Sequence, residues 1–394
     1  MKRTFHKVVF EDEVDWFLNM KITDGVNSEG MRTRSIDQSM AIDKIADMIP
    51  GIRTEKKRST PMNANTIMTK RLVGEGPNKH EYPFNYASVV GALMYVSNWT
   101  RPDLTTAVNK LARYMTDPTD DHYKRCREVV NYAVNTKHRV LTYTQTSHNP
   151  LRLSGASDSS FNDDKDTCRS TIGWGLWIGT YCSGMIKWAS KVPKTIATSS
   201  TNAEVQAAVS LAKDTVWLRT MLQELGNKQQ GSTVLYQDND PAIAQIQDIK
   251  GTANSKHYLI LLRKIQELLH KGIIHMNPID TKENVADLFT KPLSNEQFWY
   301  LSHQATGFND ATGPYAGIIA VAAPKWIKAL IRGSASLGEE TDDEPRESAM
   351  ISAMLNYCDY MNEESTHVNA PCLTHTCRRY NGITGYYGSI MRPE

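Results

Sequence analysis

The stretch Leu151-Arg-Leu-Ser-Gly-Ala-Ser-Asp158 decides how this 394-residue chain is read. Leu151, Leu153 and the Ala156 region alternate with polar residues, so the stretch reads as a strand that feeds a polar loop and carries a carboxylate, Asp158, at its end. Three more acids lie downstream in comparable settings. Glu204, in Ser199-Ser-Thr-Asn-Ala-Glu204, falls in the first turn of a helix whose Val205, Ala208, Val209, Ala212, Val216 and Leu222 recur at helical spacing. Asp238 follows the β-rich run Thr233-Val-Leu-Tyr-Gln237 and precedes Asn239-Asp-Pro-Ala-Ile243, so a strand again hands an acid to a helix start. Asp287 sits in Glu283-Asn-Val-Ala-Asp-Leu-Phe-Thr-Lys291, where Val285, Leu288 and Phe289 suggest a helix with one packed face.

Each acid alone has an ordinary explanation. Thr201-Asn-Ala-Glu204 fits a capping box, Asp158 and Asp238 fit turn positions, and Asp287 fits an exposed helix residue. Together they point elsewhere. Acids delivered to one edge of a sheet repel one another unless a cation joins them, and a carboxylate cluster on an α/β scaffold suits magnesium-dependent hydrolysis of a nucleic-acid backbone. Magnesium is a hard cation that takes oxygen ligands, and Mn2+ should substitute for it. The surrounding pattern gives strands near 150–157, 171–178 and 184–190, a helix over 201–225, a strand over 232–237, further helices and a strand over 272–278. That order predicts an α/β fold, a five-stranded mixed sheet with helices on both faces.

A series of short motifs resembles the C-terminal part of the Pol polyprotein of copia-type long-terminal-repeat retrotransposons, where reverse transcriptase gives way to ribonuclease H. Tyr86-Ala-Ser-Val-Val-Gly-Ala-Leu-Met-Tyr95, Thr100-Arg-Pro-Asp-Leu104 and Ala107-Val-Asn109 resemble the segment joining polymerase to nuclease. Then come Asp158, Arg169-Ser-Thr-Ile-Gly-Trp174, Ile186-Lys-Trp-Ala-Ser-Lys191, Ser199-Ser-Thr-Asn-Ala-Glu204, Trp217-Leu-Arg219, Asp238-Asn239, Lys256-His257 and Ala286-Asp-Leu-Phe-Thr-Lys-Pro-Leu293, in family order. The resemblance implies a ribonuclease H-like domain with Asp158 as first-strand aspartate, Glu204 as first-helix glutamate, Asp238 as fourth-strand aspartate and Asp287 as last-helix aspartate. All four would serve as catalytic residues and ligands of two Mg2+ ions. The implied substrate is an RNA–DNA hybrid cut in its RNA strand to leave 3′-hydroxyl and 5′-phosphate ends. Arg169, Ser170, Lys187, Trp188, Lys191, Ser200, Asn239, His257 and Asn284, in or beside these motifs, are candidates for substrate binding. Lys187, Trp188, Lys191 and Lys194 in particular could track a hybrid's phosphates.

The chain also departs from the family. Lys256-His257 is followed by the apolar Tyr258-Leu-Ile-Leu-Leu262 where an acidic and a basic residue are usual, so that helix is expected to pack differently. Asp280-Thr-Lys-Glu-Asn284 lacks the histidine that some ribonucleases H carry there; the nearest, His257 and His275, are expected to be structural. Phe161-Asn-Asp-Asp164 matches the four-residue signature of a polymerase centre, but its polar flanks predict a loop and no polymerase palm. Trp16-Phe-Leu-Asn-Met-Lys-Ile22, Gln38, Ile42 and Ser59-Thr-Pro61 resemble the region just after the palm.

Four segments follow: 1–80, a degenerate reverse-transcriptase remnant, partly disordered; 81–145, a mostly helical connector; 146–308, the ribonuclease H-like domain; and 309–394, an unassigned tail. A net charge of +2 excludes general polyanion binding by the whole surface and leaves local clusters such as Lys124-Arg-Cys-Arg127. The six cysteines show no CxxC spacing, and His367, Cys372, His375 and Cys377 lack a zinc-finger register. The longest apolar stretch, Ala316 to Ala323, is too short to span a bilayer. These features predict a cytoplasmic or nuclear protein, not a secreted or membrane one, with the upstream reverse-transcriptase region as a further partner. The alternative is a decayed or co-opted fragment that binds nucleic acid without catalysis.

Overall fold

The computed structural model describes residues 15–27, 30–145, 152–179, 184–247 and 258–307. Leu151, Cys182, Lys256, His257 and everything from Phe308 onward, including the tail's Cys and His residues and its acidic and apolar runs, lie outside the described residues.

Strands β1 (Trp16–Phe17), β2 (Met20–Val26) and β3 (Arg32–Asp37) lead into helix α1 (Ser39–Asp47). Helices α2 (Tyr86–Trp99), α3 (Thr105–Ala112) and α4 (Asp120–Asn135) follow, then β4 (Leu141–Thr144), which returns to pair with β3 and completes an antiparallel sheet in the order β1-β2-β3-β4. Within 1–80 the described residues thus include three strands and a helix. Apart from the buried Met20 these strands are exposed or half-buried, and β3 is completed by a partner far downstream, so no local alternation announces them.

Residues 81–145 contain the three helices α2, α3 and α4, and two of them have a side-chain start signal. Asn85 accepts the Ser88 amide at the head of α2, and Thr119 caps α4 together with His122. The motif Thr100-Arg-Pro-Asp-Leu104 is a packing device. Arg101 and Asp103, 1% and 0% exposed, form an ion pair at 2.7 Å, and Tyr132 and Thr136 of the α4 end complete their hydrogen bonds. Burying both charges is tolerable only because every group finds a partner.

The second sheet contains β5 (Leu153–Asp164), β6 (Arg169–Ile178), β7 (Met185–Lys191), β8 (Thr233–Gln237) and β9 (Ile274–Pro278), in the order β7-β6-β5-β8-β9. The β7-β6-β5 pairs are antiparallel and the β5-β8-β9 pairs parallel. This is the five-stranded mixed sheet expected of a ribonuclease H-like fold. Helix α5 (Ser200–Glu224) covers one face, with Val205, Ala208 and Leu211 against Leu153, Trp174 and Leu176. Helices α6 (Asp240–Gln247) and α7 (Leu259–His270) join that layer, with Tyr258 and Leu262 in the core and Ile260 85% exposed. The opposite face meets a five-residue 3-10 turn, Val285–Phe289, then helix α8 (Asn295–Thr306) and the α2–α4 helices. One apolar core runs from Ile42 through Leu93 and Val129 to Phe289 and Leu301, so the segments 1–80, 81–145 and 146–308 share it.

Two elements differ from the sequence expectation. Asp158 lies mid-strand, because β5 continues through Phe161-Asn-Asp-Asp164 by way of a bulge and stays paired with β6 up to Asp164–Arg169. Pairing overrides the poor strand propensity of Ser, Asn and Asp. Asp163 and Asp164 form ion pairs with Lys110 at 2.8 Å and Arg113 at 3.9 Å. Asp287 stands in the 3-10 turn rather than a one-sided helix, since all five residues of that turn are buried.

Candidate metal centre

The β5–β8 ladder ends at the pair Ala156–Tyr236. Two residues beyond it on each strand stand Asp158 and Asp238, where the strands have parted and no backbone partner fills the gap. Glu204, in the second turn of α5, reaches into this gap from one face. Asp287 approaches from the other, because Gly173 leaves room for its turn: a Cβ there would lie 2.7 Å from the Phe289 Cβ and 2.8 Å from the Thr290 methyl. One ligand oxygen from each of Asp158, Glu204 and Asp238 lies within 4.8 Å of the other two. That is close to the roughly 4 Å separating opposite oxygens on one Mg2+ ion. Asp287 stands outside this trio but interacts with Asp158.

The capping-box reading of Glu204 is not what the helix adopts. Ser199 is the N-cap and accepts the Asn202 amide, which leaves the Glu204 carboxylate free to accept from Gln237 Nε2. Gln237 in turn accepts from the Ser157 hydroxyl, so a buried bridge ties helix to strand. Thr290 Oγ1 donates to Asp158, and Lys291 Nζ lies 2.8 Å from Asp287 and 3.9 Å from Asp158. Gln237 lay in the run before Asp238, and Thr290 and Lys291 lay inside the motif that supplied Asp287; no periodicity marked them as neighbours of the site.

Burial dominates the electrostatics. Asp158, Glu204 and Asp287 are 3%, 6% and 4% exposed. Loss of hydration, reinforced by Asp287 and Glu204, holds the Asp158 carboxyl well above the usual carboxylate range. Burial, with a contribution from Asp238, pushes Glu204 up to about 7. Burial also raises Asp287, against the pull of Lys291. Burial works against the Lys291 ammonium, but Asp158 and Asp287 more than offset it and raise its pKa. One ammonium cannot neutralise four carboxylates. A divalent cation would take the place of the protons that burial otherwise retains, so the residues fit a hard metal ion.

The substrate-contact candidates separate into groups. Asn284 is fully buried: its Nδ2 donates to the Ser157 carbonyl at 3.0 Å and its Oδ1 accepts the Ala286 amide at 3.1 Å, bracing the Asp287 turn on β5. Ser170 is buried and its hydroxyl accepts the Asn162 amide. Asn239 caps α6 through the Ala242 amide. Trp188 donates from its indole to the Ser97 carbonyl, facing the α2 helix. Lys187 lies 3.5 Å from Asp214 and 4.8 Å from the Trp217 ring centre, while Lys191 lies 5.0 Å from that of Trp174. Arg169 is half-buried, and Ser200 is exposed at the first residue of α5. His275 is exposed on β9.

No protein-family model matches the chain. It is 30% identical over 285 residues to the retrovirus-related Pol polyprotein from transposon TNT 1-94 of Nicotiana tabacum, covering 71% of this chain and 20% of that protein. It is 31% identical over 251 residues to the corresponding polyprotein from transposon RE2 of Arabidopsis thaliana, covering 64% of this chain and 17% of that protein. The chain thus spans about a fifth of the length of the curated relatives it matches. Among solved structures, the N-terminal RNase H domain of rv2228c from Mycobacterium tuberculosis aligns at 14% identity and a TM-score of 0.27, over 39% of this chain and 97% of that one. The strand order, not that alignment, is what identifies the sheet. Among the described residues, no helix is long and apolar enough to cross a membrane.

Proposed function

Because the chain belongs to the copia-type retrotransposon Pol polyproteins, we propose that residues 146–308 act as a ribonuclease H on the RNA strand of RNA–DNA hybrids. The observation that carries this reading is the convergence of Asp158, Glu204 and Asp238 at the gap where β5 and β8 part, with Asp287 beside them. Two Mg2+ ions on these carboxylates, or Mn2+ in their place, would supply a polarised water and neutralise the departing 3′ oxygen.

The protein's own groups do the rest. Asp158 is fixed within β5 by its pairing with β6, and Asp238 directly follows the end of β8. Gln237 and the Ser157 hydroxyl hold Glu204, and Thr290 holds Asp158, so the carboxylates need little reorganisation when charge is added. Lys291 offsets part of the negative charge that would repel a phosphodiester. Of the substrate-contact candidates, the exposed Ser200 and Lys191 are best placed to meet solvent-borne nucleic acid.

The test is cleavage of a labelled hybrid by the purified chain with Mg2+ or Mn2+, beside Asp158→Asn and Asp238→Asn. RNA-strand cutting that both substitutions abolish supports the assignment. No cutting by the folded chain would reject it in favour of a non-catalytic fragment, and hybrid binding would then be measured.

A further inference from the structure

The β5 bulge does something a hairpin does not require. Between Ser160 and Asp164 the strand leaves its register, and Asn162 takes up a left-handed backbone with φ 54°. That conformation is unfavourable for any residue but glycine, although asparagine tolerates it best. It turns Phe161 outward to 46% exposure, where its apolar surface gains nothing from the core. Beside Phe161 opens a cavity of about 390 Å3, within the usual range of small-ligand sites. Its walls come from three parts of the chain: the 64–68 segment with Ile67 65% exposed, α3 with Lys110 and Arg113, and the bulge with Lys165. Lys291 also lines it.

The lining carries four cations, Lys110, Arg113, Lys165 and Lys291, against two anions, Asp163 and Asp164. Asp163 holds Lys110 at 2.8 Å and also accepts the Thr171 amide at 2.7 Å, while Arg113 donates to the Thr171 hydroxyl at 3.0 Å. Lys110, Arg113 and Lys291 are thus held in place by carboxylates, and Lys165, which donates to the Asn162 carbonyl, is the lining cation outside these pairs. Lys291 belongs to this cavity and to the carboxylate centre, and Ser160 is two residues along β5 from Asp158. The cavity therefore begins where the metal centre ends.

A flat exposed ring beside held cations matches a nucleotide, with a base face for the ring and a phosphate for the cations. In a continuous hybrid each base is already stacked on both sides. Only an unpaired nucleotide has a face to offer. We propose that this cavity binds an unpaired nucleotide of the RNA strand flanking the hybrid, its base on Phe161 and its phosphate among Lys110, Arg113, Lys165 and Lys291. The proposal rests on the ribonuclease reading and adds to it a preference for hybrids with a single-stranded RNA flank.

The readout is a ratio of affinities. In full-length Asp158→Asn protein, binding of a blunt hybrid is compared by fluorescence anisotropy with binding of the same hybrid carrying a short RNA overhang or a short DNA overhang. The RNA overhang should tighten binding by about tenfold, the scale of one base stacked on an aromatic ring. Phe161→Ala should erase the advantage and Phe161→Trp should keep it, with circular dichroism confirming that each variant is folded. Equal affinity for blunt and RNA-overhang hybrids, an equal advantage from DNA, or an advantage that survives Phe161→Ala would overturn the proposal. A chain that cuts blunt hybrid but ignores overhangs loses only this subsite. A chain that neither cuts nor binds hybrid loses the ribonuclease reading as well.

Discussion

Replacing Glu204 by glutamine tests whether the carboxylate centre is strained for want of a cation. The folded protein raises the Glu204 carboxyl from 4.5 to about 7, chiefly by burial. The folded state therefore holds this proton more tightly than the unfolded chain does. Its contribution to stability is complete below pH 4.5, erodes as pH rises towards about 7, and is gone above that. The gap corresponds to roughly 3 kcal/mol, at about 1.4 kcal/mol for each pH unit. Glutamine keeps the shape and has an oxygen for the Gln237 amide, but it has no proton to lose. Urea unfolding in EDTA should give similar stabilities for both proteins near about pH 5 and a variant more stable by roughly 3 kcal/mol near about pH 8. Asp158 and Asp287 keep their own pH dependence, so only the difference between the two proteins is read. Millimolar Mg2+ should restore the unmodified protein above neutral pH by binding the folded state alone, and should do much less for the variant. A variant whose stability falls with pH as steeply as its parent's, or one that Mg2+ stabilises equally, would refute the argument.

Asn284→Ala should cost about 1–3 kcal/mol in urea unfolding, because it strips partners from a buried carbonyl of Ser157 and from the Ala286 amide. It should also weaken metal-induced stabilisation, since it frees the turn that carries Asp287. Asp103→Ala should be costlier, about 3–5 kcal/mol, because it leaves the guanidinium of Arg101 buried without its counter-charge. Thermal melting would register this, and a loss within error of zero would contradict the packing described for the α2–α4 helices. Lys291→Met removes the cation that favours ionised Asp158 and Asp287, so both carboxyls should hold their protons to higher pH. Calorimetric titration of Mg2+ across a pH series should then show binding displaced to higher pH, not to lower.

The five-stranded sheet was legible because its signals are local. Strand β8 is a short β-rich run ended by an acid, and α5 repeats its apolar residues at helical spacing. The four acids drew notice through local cues: Asp238 follows a β-rich run, Glu204 lies near a helix start, and Asp158 and Asp287 sit within short patterned stretches. What escaped was set by contacts between distant segments. β3 finds Leu141 of β4 opposite its Ile36, and nothing in either segment names the other. Asp158 was placed at a strand end because Ser159, Ser160 and Asn162 are poor strand formers; pairing with β6 carries the strand past them. The partners that orient the acids, Gln237, Thr290 and Lys291, are ordinary polar residues whose importance comes from where the fold sets them.

Trp188 shows why such a reading needs the period of the strand. Grouped with Lys187, Lys191 and Lys194 by proximity in sequence, it looked like one member of a phosphate-tracking surface. A strand sends alternate side chains to opposite faces, so Lys187 and Lys191 share the face of α5 while Trp188 and Ser190 share the other. On that face the Trp188 indole donates to the Ser97 carbonyl and Asn109 donates to the Ser190 carbonyl, while Thr106 reaches the Leu288 carbonyl at the turn that carries Asp287. The motifs of residues 81–145 are therefore the residues that close one face of the five-stranded sheet. Displacing α2 or α3 would disturb Asp287 before it disturbed Glu204, whose helix lies on the opposite side.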